Sequence, residues 1–64
     1  MKKFFNQLLT KRAEKKMDSL LIKYGKQNNV NAIIFCNQCK FYIHAGYSAA
    51  GLIRTFEQFL KVVG

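Results

Sequence analysis

Apolar and polar positions follow three successive patterns along this chain. In the first, Leu9, Ala13, Met17, Leu20, Leu21 and Tyr24 recur at helical spacing, with Lys11, Arg12, Lys15, Lys16 and Lys23 on the opposite side. No Gly or Pro interrupts residues 2–24, and Gly25 stands where a left-handed cap belongs, so a first helix is expected there. In the third pattern Ser48 is a good N-cap, followed by a stripe of Ala49, Leu52, Ile53, Phe56, Phe59, Leu60 and Val63 opposite Arg54, Glu57, Gln58 and Lys61. A second helix is expected there.

The middle pattern, Val30–Ala45, consists of two β-branched and aromatic runs separated by Asn37-Gln38, and it predicts a β-hairpin. Pairing Cys36 with Cys39 places Val30, Ala32, Ile34 and Cys36 beside Cys39, Phe41, Ile43 and Ala45 on one wholly apolar face. The opposite face then carries Asn31, Ile33, Phe35, Lys40, Tyr42 and His44. Asn-Gln is a weak two-residue turn because Gln disfavours positive φ, but a four-residue loop keeps the same facing parity. A three-residue loop would bring Lys40, Tyr42 and His44 onto the face of Ala32 and Ile34, so the pattern argues against it. The fold class expected is α+β, in the order α-β-β-α, as a single small domain over residues 1–64. Both helices lie most economically on the wholly apolar sheet face, which leaves the second face uncovered.

Length changes the picture. A chain of 64 residues buries only about 60% of its unfolded surface, so a supplement to its core is expected. Two cysteines make no disulfide scaffold, and self-association as a homodimer is the favoured supplement. A hydrophobic share of 50% argues against disorder. The net charge of +8 implies a negative partner or surroundings, and it is concentrated in residues 1–26, which hold eight basic residues against Glu14 and Asp18. The cationic stripe reads as a solvated outer face or as an electrostatic binding surface. Asn6, Gln7, Thr10, Lys11 and Arg12 break any apolar signal core after MKKFF, and no run approaches the roughly 18 apolar residues of a membrane span. A cytoplasmic protein with reduced thiols is expected.

Candidate chemistry is sparse. Cys36-x-x-Cys39 resembles half a zinc knuckle, but with His44 the chain offers only three ligands where a structural site wants four. Cys36 and Cys39 read as small apolar core residues; two hairpin tips meeting in a dimer would instead assemble a four-thiolate site. A redox role would need a helix N-terminus or a cationic setting that a hairpin tip does not offer. Gly46-Tyr47-Ser48-Ala49-Ala50-Gly51 could present backbone N–H groups to an anion, yet it lacks the Lys-Ser/Thr of a P-loop, and N-capping with close packing is the favoured reading. One His and three acids do not assemble a nucleophile, base and orienter, so no enzyme and no cofactor is expected.

The second hairpin face, with Ile33, Phe35, Tyr42, His44 and Tyr47, has two readings. It is a dimer or partner interface, or it is a platform on which aromatics stack bases while Lys40 and the basic helix neutralise phosphate. Phe4, Phe5 and Leu8 among lysines also permit a membrane-surface helix. The basic opening MKKFFNQLLTKRAEKK, the segment IIFCNQCKFYIHAGY and the Ser-capped SAAGLIRTFEQFL together resemble the small α-β-β-α accessory proteins of bacteriophages and other mobile elements. That resemblance implies a stoichiometric inhibitor of a host defence system, occupying a host protein, a nucleic-acid groove or a signalling nucleotide. The expectation is therefore a small non-enzymatic binding protein, or alternatively a nucleic-acid or nucleotide binder.

Overall fold

The structure, a computed structural model, describes the backbone of residues 2–63 and the side chains of residues 10–63. Its first element, α1 (Lys2–Lys23), follows from the uninterrupted helix-forming run and stops where expected. Gly25 takes φ +66°, its N–H reaches the Ile22 carbonyl at 3.0 Å, and the Lys26 N–H reaches the Leu21 carbonyl at 2.8 Å. That pair of bonds is a Schellman cap, which needs the left-handed conformation glycine supplies. Leu9, Phe4, Phe5 and Leu8 lie outside the residues whose side chains are described.

The middle segment is a helix, α2 (Val30–His44), and no strand occurs among the described residues. The expected hairpin, and with it the α+β, α-β-β-α fold, is thereby overturned. Several local features favour the helix. Asn29 caps it, its side-chain Oδ1 accepting from the Ala32 N–H at 3.0 Å. No Gly or Pro occurs within Val30–His44, and Gln38 does not easily take the positive φ of a tight turn. The chain reverses instead at Gly46, with φ +102° and a second Schellman cap: Gly46 N–H to Ile43 at 3.1 Å and Tyr47 N–H to Tyr42 at 3.0 Å. The β-branched residues that suggested strands are tolerated because strand propensity is a matter of packing context.

The last element, α3 (Ala49–Val62), coincides with the helix read from the sequence; the Ser48 hydroxyl accepts from the Gly51 N–H at 3.3 Å. The helices form one three-membered bundle in which every pair is in contact. Side-chain bonds fix their directions. His44 meets Glu14 and Lys40 meets Asp18, so α2 runs antiparallel to α1. Tyr24 meets Glu57, which aligns the C-terminal halves of α1 and α3.

The core is drawn from all three helices: Ala13, Met17, Leu20 and Leu21; Ala32, Cys36, Cys39 and Ile43; Phe56 and Leu60. In α2 these residues are spaced by four, three and four, which places them in one helical stripe. Three of them are small, which lets α1 and α3 approach closely. Phe56 is fully buried, and Phe35 packs against it and against Phe59 with ring centroids 6.0 and 4.6 Å away. No polar or charged residue is buried among the described residues, so the interior is held by apolar packing.

Candidate functional site

The position of the charges is the clearest functional feature. All three acids of the chain face a neighbouring helix. The Lys40 ammonium donates to Asp18 Oδ1 at 2.8 Å, His44 Nε2 lies 3.0 Å from Glu14 Oε2, and the Tyr24 hydroxyl donates to Glu57 Oε2 at 2.8 Å. Glu14 and Asp18 lie one turn apart on α1, as do Lys40 and His44 on α2, so the two antiparallel helices meet in two rungs. Such partly exposed pairs contribute about 0–1 kcal/mol each and mainly set register. Their larger effect is on what remains unpaired.

With the carboxylates turned into the seams, the outer side of α1 carries Lys11, Arg12, Lys15, Lys16 and Lys23, all exposed. Among the described residues no ion pair involves any of them, the only two pairs being those of Lys40 and His44. Lys23 does reach over the Tyr24 ring, 5.6 Å from its centroid. Five of the six expected electrostatic residues therefore share one cationic surface. Lys40 does not belong to it: it sits in the α1–α2 seam, where the hydrogen bond to Asp18 raises its pKa and favours its charged form.

The aromatic face expected from the hairpin does not exist as a face. On a helix, Ile33 and His44 fall on the flank toward α1, whereas Phe35 and Tyr42 fall on the flank toward α3. Phe35 is half-buried in the core, and His44 bonds Glu14. Tyr47 packs edge-on against Tyr42 at 5.3 Å, and these two residues are the C″ and C3 positions of the α2 cap, where an apolar contact ordinarily closes the motif. The stacking platform is thus replaced by a capping contact. Sequence reasoning missed the outward stripe of Val30, Ile34 and Phe41, assigned to the buried hairpin face yet 68%, 50% and 69% exposed. Its signal was present in the spacing, read with period two where the chain uses 3.6.

Cys36 and Cys39 are free thiols buried in the core. Burial pushes both upward in pKa, with the negative charge of Asp18 adding to the rise at Cys36 and the Lys40 charge opposing it. The Cys36 thiol points toward Asp18 Oδ1 across 4.0 Å. The intersubunit four-thiolate site assumed a hairpin tip, which α2 replaces, and both thiols face the core; no group of three metal-ligating residues occurs among the described residues. Among those residues no helix is long and apolar enough to cross a membrane.

No family model, curated protein or solved structure matches the chain. The resemblance to α-β-β-α accessory proteins relied on a hairpin that α2 replaces, so it lends the chain no function.

Proposed function

We propose that this protein is a non-catalytic binding module that attaches stoichiometrically to a phosphate-rich macromolecule, a nucleic acid, through the outer face of α1. The single observation that supports this reading is that all three carboxylates bond groups across helix–helix seams, which leaves Lys11, Arg12, Lys15, Lys16 and Lys23 without an ion-pair partner on one exposed surface. A regular rod of phosphates is the partner such a surface suits. Lysines spaced along a helix neutralise backbone charge and release counterions, without reading sequence. Aromatic stacking plays no part in this reading.

Fluorescence anisotropy with labelled duplex and single-stranded oligonucleotides tests it. Binding is expected at low salt, with log K falling by about 0.9 per phosphate neutralised as log salt rises on duplex DNA. The double variant K11E/K15E should abolish binding and leave the circular dichroism unchanged, because both side chains are exposed. Absence of binding to every oligonucleotide at low salt, or binding that ignores salt, would overturn the reading.

A further inference from the structure

We infer that the outer face of α2 is a self-association surface, on which a second copy of this chain docks helix against helix in an antiparallel, two-fold arrangement. Val30, Ile34 and Phe41, with Asn37 between the last two, are spaced by four, three and four, the same spacing as the buried Ala32, Cys36, Cys39 and Ile43. At 100° per residue the two stripes lie on opposite sides of the helix. So α2 carries two packing seams and the bundle uses one. An apolar stripe ordinarily faces an interior, and the second stripe of α2 stands in solvent.

Charge and symmetry together point to a second copy as the occupant. The chain carries a net charge of +8, and two copies repel wherever their cations face each other. The outer stripe of α2 has no charged residue; Lys40 and His44, the two ionisable basic groups of α2, lean toward α1 and bond Asp18 and Glu14. Pairing through α2 therefore joins the least charged surfaces and directs each cationic α1 face outward. An uncharged stripe also offers nothing with which to select an acidic or basic partner protein.

The spacing also reads the same in both directions about the point midway between Phe35 and Cys36. A two-fold axis there sets Val30 against the partner's Phe41 and Ile34 against the partner's Asn37, an isologous contact with opposed helix dipoles. Val30, Ile34 and Phe41 are 68%, 50% and 69% exposed and together offer on the order of 300 Å² per copy, with the Tyr42 ring adjoining Phe41 at one end. Two copies then bury on the order of 600 Å², the scale of a weak, transient pair.

The inference does not rest on nucleic-acid binding, and salt separates the two: screening should strengthen self-association and weaken attachment to phosphate. Sedimentation equilibrium of the full chain should show its mass rising from 7.4 kDa toward twice that value over the micromolar range. F41E and I34E, each made separately, should weaken association about 30-fold or more with helical circular dichroism retained. If one of them fails to fold, the other still decides. Under mild oxidation a mixture of V30C and F41C chains should form a covalent dimer, and neither variant alone should. A strict monomer up to millimolar concentration, association indifferent to a folded F41E or I34E, or cross-linking of one variant with itself would overturn the proposal.

Discussion

Helices α2 and α3 are almost equal in length, at 15 and 14 residues, and each packs on the other and on α1, yet they distribute their apolar residues in opposite ways. In α3 the apolar stripe is buried or half-buried and Arg54, Gln58 and Lys61 stand outside. In α2 the inner stripe is matched by Val30, Ile34 and Phe41 on the outer side. The comparison teaches that helical periodicity is readable only when the far face is polar, and that an apolar far face marks a surface with work outside the bundle.

The largest expected effect breaks the comparison if it fails. Phe56→Ala removes a fully buried ring from the centre of the core and should cost about 3–5 kcal/mol in urea unfolding. Phe41→Ala, measured in dilute solution, should stay within about 0.5 kcal/mol because that ring contributes little to the monomer's interior. Equal losses at the two positions would mean that the outer stripe of α2 is part of the core.

A smaller effect sharpens the inner seam. Cys39→Ser buries a hydroxyl among apolar neighbours and should cost about 1–3 kcal/mol. Cys36→Ser should cost less, since the hydroxyl has the Asp18 carboxylate within reach of its donor. The urea midpoints of the two variants check the order, and the reverse order would contradict the placement of Asp18 over Cys36.

The smallest effect concerns the edges of both seams at high pH. Burial raises the Cys36 and Cys39 thiols above their ordinary 9.0. The hydrogen bond to Glu57, followed by burial, raises Tyr24 above 10.0, and the hydrogen bond to Asp18 raises Lys40 above 10.5. In each case the folded state holds its proton more tightly than the unfolded chain. The stabilisation is complete below the unfolded pKa values and is lost as pH rises through the folded ones. Urea midpoints should therefore begin to fall above about pH 9 and continue falling beyond 10.5; a midpoint unchanged to pH 11 would contradict these contacts.

Much of α1 and α3 was legible because local signals agreed: Gly25 and Ser48 cap, and Ala13, Met17, Leu20, Phe56 and Leu60 recur at helical spacing between charged residues. The cationic set on α1 was legible for the same reason. The middle segment was not, since Ala32, Cys36, Cys39 and Ile43 share one stripe both on a helix and, paired at a hairpin tip, on a ribbon. Asn29 as an N-cap was the local cue that separated the two, and Val-, Ile- and Phe-rich composition outweighed it.

Sequence alone determined where α1 ends at Gly25 and α3 begins at Ser48, which sides of these end helices are apolar, and that the first part of the chain is strongly basic. Tertiary structure decided the rest: that Val30–His44 is a helix, which of its two apolar stripes faces inward, and that every carboxylate is held in a seam. The physical reason is that a segment with apolar residues on two sides fits more than one period. It takes the conformation that offers its smallest side chains, Ala32, Cys36 and Cys39, with Ile43, to the stripes of α1 and α3, and Val30, Ile34 and Phe41 are left exposed on the far side.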